Sequence, residues 1–196
     1  MDDSQAFDLM NEGGEKIDFT DKSLGLDAED LLIRLLLDKY DVPIKEQGKY
    51  LNNLYDFSRI VRLIESDDDP SREAKDLSGS KYSAKGVYQF TDATVRTTRR
   101  KALMLGVPQG RLDEMSFDPR QWTDQEADLM FFANLLTKTG SDWYLLEVGK
   151  GNNKLAGIEA YYDFHHTDPD RKTKERAEEK FNVRPIMKRD LEKLRH

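Results

Sequence analysis

Leu51-Asn52-Asn53-Leu54-Tyr55-Asp56-Phe57-Ser58-Arg59-Ile60-Val61-Arg62-Leu63-Ile64-Glu65-Ser66-Asp67-Asp68-Asp69-Pro70 is the stretch that decides the fold. Leu51, Leu54, Phe57 or Ser58, Val61 and Ile64 recur at steps of three and four, the period of one face of an α-helix. The spacing predicts a helix from about Gln47 to Ser66, stopped by the breaker cluster Asp67-Asp68-Asp69-Pro70. Glu65 continues the apolar stripe in the last turn, where a carboxyl is partly desolvated. Burial, the negative end of the helix dipole and the three neighbouring acids all favour its protonated form. A solvated helix-terminal glutamate is the ordinary alternative.

Helical periodicity continues on both sides. Upstream, Asp27-Ala28-Glu29-Asp30 opens an amphipathic helix to about Tyr40, with Asp27 as N-cap and Pro43 as its limit. Downstream, Ser71 to Tyr88 shows no helical period and reads as an irregular loop with a short hairpin around Ser78-Gly79. A third helix fits Thr91 to Leu105, closed by Gly106 and Pro108. Thr123-Asp124-Gln125-Glu126 is a capping box, and its helix carries the stripe Ala127, Met130, Phe131, Asn134, Leu135 before Gly140. Two shorter helices follow, about Ser141 to Val148 and Leu155 to Phe164, split by the Gly149–Asn153 turn. Beyond Asp168-Pro169-Asp170 the chain is charged, with one helix to about Phe181 and another from about Pro185. The expected organisation is a polar arm at 1–25, a mainly α domain at 26–167 and a charged helical extension at 168–196.

Composition narrows the function. The 196 residues suffice for one domain with a sizeable core. A net charge of −7 argues against general nucleic-acid binding, so an anionic polymer would have to be held by local contacts. The absence of cysteine excludes disulfides and thiolate metal sites. Met1-Asp2-Asp3 is acidic where a secretory signal would be basic, so none is expected. The most apolar run, Leu31 to Leu37, is short and carries Arg34, so no membrane span is expected. Asp163, His165, His166 and Asp168 lack the spacing of a metal site and read as helix-end polarity, and no metal or cofactor is expected. Trp122 and Trp143 each stand near a helix start and are expected to pack.

A second element supports a chemical role for Glu65. Ser83-Ala84-Lys85-Gly86-Val87-Tyr88-Gln89-Phe90-Thr91 places small residues and a glycine before two aromatics that flank a glutamine. Gly86 permits close backbone approach to a ligand, Tyr88 and Phe90 offer faces for a sugar ring, and Gln89 supplies donor and acceptor. A hairpin whose aromatics fill the core is the competing account.

Glu65-Ser66, the polar loop with Pro70 and Ala74, the run Ser83, Gly86, Gln89, and Asp118-Pro119 ahead of the Thr123 helix together resemble the soluble lytic transglycosylase family, over about Phe57 to Phe164. The resemblance implies a mainly α, lysozyme-like (goose-type/lytic transglycosylase) fold, with a small irregular or β-hairpin loop lining the cleft. It implies cleavage of the β-1,4 bond between N-acetylmuramic acid and N-acetylglucosamine in bacterial peptidoglycan, with Glu65 as acid and then base. Ser66, Ser83, Gly86, Tyr88, Gln89, Phe90, Tyr161 and Tyr162 are the expected substrate-binding residues. The family's Ala-Tyr-Asn-Ala-Gly is met here only by Ala160 and Tyr161 of Ala160-Tyr161-Tyr162-Asp163-Phe164. Hydrolysis on the same fold stays open, with Asp67, Asp68, Asp69, Asp76 or Asp92 as a base for water, as does a catalytically silent wall-binding or structural role. The acidic arm, the charged extension and the Tyr161–Arg176 stretch also resemble phage virion or tail components. Such a protein opens the wall in the periplasm during DNA entry, among other virion proteins.

Overall fold

A computed structural model describes residues 28–74, 83–152, 155–165 and 171–181. Twelve residues, Ala28–Lys39, form α1, and Ile44–Ser66 form the long α2. Pro43 stands immediately before α2, at φ −56°, so the helix begins three residues earlier than its apolar stripe predicts. Proline fits there because the first N–H groups of a helix have no partner within it. At the other end Asp67 and Asp68 both take left-handed backbone, and their N–H groups return to the carbonyls of Leu63 and Arg62. That closure is the role glycine usually fills.

Strands β1 (Glu73–Ala74) and β2 (Ala84–Lys85) pair antiparallel with Glu73 opposite Lys85. The proposed turn at Ser78-Gly79 lies outside the described residues, as do the 1–25 arm, the Asp27 cap, Asp76 and the helix from Pro185. Helix α3 (Asp92–Met104) starts on Thr91, whose hydroxyl accepts from the Thr94 N–H. The short α4 (Gln109–Glu114) and a 3-10 turn at Pro119–Gln121 were not anticipated; each is too brief to show a period. Helix α5 (Asp124–Leu136) carries the Thr123/Glu126 capping box in full. Then come α6 (Ser141–Lys150), α7 (Leu155–Ala160), a π-helical turn at Tyr161–His165, and α8 (Arg171–Lys180).

The protein is mainly helical. Every residue from Leu129 to Leu136 is buried, so α5 is the central helix, covered on one side by α1 and on another by α3. Helix α2 lies against α6 and α8. Asn53 donates to the Gly149 carbonyl at 2.7 Å, and Gly149 lets α6 approach the Tyr50 ring.

Of the segment read as an extension from residue 168, the described part, 171–181, packs against α2. Ala177 and Phe181 are buried, and Phe181 stacks on Phe57 of α2 at 6.1 Å. The charged composition of α8 hid these two apolar anchors. Among the described residues, no helix is long and apolar enough to cross a membrane.

Candidate active site

The last turn of α2 divides its two polar residues between two surroundings. Glu65 faces a cavity of about 780 Å³. Ser66, one position on, points the other way: it is fully buried, and its hydroxyl donates to the carbonyls of Val87 (3.0 Å) and Arg62 (3.1 Å). Ser66 therefore ties the end of the helix to the turn at 86–89 and does not line the cavity. Successive helical residues sit about 100° apart, so one member of the pair faces the cavity while the other faces the turn.

The turn is closed by paired backbone hydrogen bonds between Lys85 and Phe90. Gly86 occupies it at φ +73°, and a Cβ there would lie 2.8 Å from the Pro119 carbonyl oxygen. The close approach that Gly86 permits is thus to Pro119, and Gly86 does not line the cavity. Gln89 sits at φ +52°, a region that costs a non-glycine residue energy. Its Nε2 donates to the Gly86 carbonyl at 2.8 Å, while its buried Oε1 has no hydrogen-bond partner among the described residues, and the residue lines the cavity.

Glu65 is itself 10% exposed along its side chain. The Tyr161 hydroxyl donates to its Oε1 at 2.7 Å. His165 Nε2 stands 3.7 Å from the same oxygen. Tyr161 and His165 are four residues apart on the π-helical turn and share one face. Such turns recur at functional sites. Burial, the Glu65 charge and the hydrogen bond to Glu65 all hold the Tyr161 hydroxyl far above the usual tyrosine range, so it remains a donor. The His165 ring packs among Phe131 (5.3 Å), Phe90 (6.0 Å) and Tyr88 (6.1 Å).

The two aromatics proposed as sugar platforms are largely committed to the core. Tyr88 stacks on Phe131 at 4.3 Å and its hydroxyl donates to Asp128; burial, then Asp128, keeps it protonated. Phe90 meets Trp122 edge-on, and the Trp122 indole N–H donates to the Ser116 carbonyl at 2.7 Å. Both Tyr88 and Phe90 still reach the cavity wall. Ser83 and Tyr162 do not line it; the Tyr162 hydroxyl donates to the Lys174 carbonyl at 3.3 Å.

Of the aspartates considered as a base for water, none of the four described lines the cavity. Asp67 pairs with Arg176, Asp68 with Arg62 at 2.6 Å, and Asp92 with Lys85 at 3.1 Å. Asp69 holds the Ser71 hydroxyl and N–H, which keep its carboxyl below the usual range. Among the described residues Glu65 is the one carboxylate in the cavity wall.

Sequence reasoning missed several wall residues. His165 stands in the wall, and the signal for it in the sequence is its i, i+4 spacing from Tyr161. Thr94 and Thr97 project from α3, Asn134 and Lys138 come from the end of α5, and Lys172 and Arg176 come from α8. Nothing in the sequence marks the last two, because they arrive through long-range packing. Comparison of the chain with protein-family models, with curated proteins and with solved structures gives no match.

Proposed function

We propose that this chain is a peptidoglycan lytic transglycosylase with a lysozyme-like fold, in which Glu65 serves as acid and then base. The observation that carries the reading is a single described carboxylate in the cavity wall, oriented by a tyrosine hydroxyl. A cavity of about 780 Å³ with threonine, asparagine and glutamine beside Ile64 and Phe90 suits a sugar, which has both polar edges and apolar faces.

In the first step protonated Glu65 gives its proton to the glycosidic oxygen. The C1–O bond breaks, its electron pair stays on that oxygen, and the departing N-acetylglucosamine leaves as an alcohol. The substrate's acetamido oxygen supports the cation at C1. The Glu65 carboxylate then takes the proton from the C6 hydroxyl as O6 bonds to C1, closing a 1,6-anhydro ring and restoring protonated Glu65. The Tyr161 hydroxyl keeps the carboxyl oriented through both steps. A hydrolytic course needs a second base for water; the distribution of Asp67, Asp68, Asp69 and Asp92 away from the cavity favours the intramolecular course.

We place this activity in a phage virion or tail protein acting on the wall during DNA entry, a proposal resting on the sequence features alone. Co-sedimentation with purified virions tests that placement. The enzyme reading is tested by Glu65→Gln. Loss of wall digestion with an unchanged circular dichroism spectrum supports it, and undiminished digestion rejects it.

A further inference from the structure

The cavity wall has the opposite charge balance from the whole protein. The chain carries −7, yet Arg72, Lys138, Lys172 and Arg176 face Glu65 alone across the cavity. Two of these cations are partly neutralised: Arg176 pairs with Asp67 and donates to the Leu63 carbonyl, and Arg72 stands 4.0 Å from Asp67. The other two are not. Lys138 donates to the Phe164 carbonyl and has no ion pair among the described residues. Exposed Lys172 has neither a hydrogen bond nor an ion pair among them.

We propose that Lys138 and Lys172 form a carboxylate-binding subsite, which makes the protein selective for glycan strands that carry negative charge over neutral ones of the same length. A half-buried ammonium beside other cations is disfavoured unless an anion joins it, and among the described residues the wall supplies none at Lys138. Burial first, then the like charge of Lys101 on α3, pushes the Lys138 amine down to about 8. The other titratable groups that share its cavity are Glu65, His165, Tyr88, Arg72, Lys172 and Arg176. A bound carboxylate would offset that desolvation and hold the amine charged. Asn134, one helical turn before Lys138, also lines the cavity and accepts from Lys101 at 3.5 Å.

This rests on the glycan reading above and adds which glycans bind. The lactyl group of a peptide-free strand and the stem peptide both supply such a carboxylate, and strands of both kinds separate the two sources.

The test is calorimetric titration of the full-length Glu65→Gln protein, which binds without turnover. The ligands are chitin hexasaccharide and peptidoglycan hexasaccharides with and without stem peptides. The charged strands are expected to bind at least about tenfold tighter than chitin. That preference should fall by about tenfold in Lys138→Met, return in Lys138→Arg, and fall in Lys172→Ala, whose exposed site does not threaten folding. Equal affinity for neutral and charged strands, or a preference untouched by both lysine variants, overturns the subsite and leaves the glycan reading standing. Failure of every oligosaccharide to bind overturns both. A charge preference in a protein whose wild type releases no product sustains the subsite and removes the catalytic claim.

Discussion

The Tyr161 hydroxyl donates a 2.7 Å hydrogen bond to Oε1 of Glu65, across 96 residues of sequence, and joins the end of α2 to the π-helical turn after α7. That bond fixes one oxygen of the carboxyl on which the proposed chemistry depends. A hydrogen bond to a charged group is worth about 1.5–3 kcal/mol. Tyr161→Phe keeps the ring packing and removes the donor. It is expected to lower kcat by roughly 10- to 100-fold with little change in KM, measured on soluble glycan strands.

Glu65→Gln preserves an oxygen for Tyr161 to reach and removes the proton donor. Turnover should fall by roughly 100- to 10,000-fold, the usual contribution of general acid–base transfer. Thermal melting should stay near that of the wild type. A large drop in melting temperature would mean that Glu65 is a structural residue.

Ser66→Ala separates positioning from substrate contact. Its hydroxyl holds the Val87 carbonyl inside the protein, so the variant should lose about 1–3 kcal/mol of stability in urea unfolding. KM should be unchanged. A raised KM at unchanged stability would restore Ser66 to the substrate-binding set.

Lys138→Met should be more stable than the wild type, with a defined pH dependence. The folded-state amine lies near 8, against 10.5 for an ordinary lysine. Below about pH 8 both folded and unfolded chains hold the proton, and the folded protein bears the cost of a partly desolvated charge. Between about 8 and 10.5 the unfolded chain binds more protons, so wild-type stability rises with pH. The advantage of the methionine variant is therefore greatest below pH 8 and shrinks towards 10.5, as followed by denaturant titration at each pH. Binding of carboxylated strands by the wild type should weaken through the same range.

Gly86→Ala forces a Cβ to within 2.8 Å of the Pro119 carbonyl oxygen at a left-handed φ. The expected cost is about 1–3 kcal/mol, read from thermal melting.

Much of the helical scaffold was legible because its cause is local. The Thr123 capping box and the Leu51–Ile64 stripe each state an energetic preference within one or two turns, and the structure follows them. Glu65 was legible for the same reason: its place on the stripe puts it in the wall. What surrounds it was not. Tyr88 looked like a sugar platform because an aromatic beside a glycine gives no sign of the Phe131 face on which it stacks. Ser66 looked like a ligand contact because the Val87 carbonyl lies 21 residues away. Helix α8 looked solvated because Ala177 and the following Phe181 stand among nine charged or polar residues and leave little periodicity, although Phe181 reaches Phe57. The positive charge of the cavity arises only when the β1 approach, α5 and α8 converge.

The most direct test is mass spectrometry of the products released from purified peptidoglycan. The account predicts muropeptides ending in 1,6-anhydro-muramic acid, lighter by one water than hydrolytic products, and absent with Glu65→Gln. Products with ordinary reducing ends, or no product from the intact protein, would contradict it.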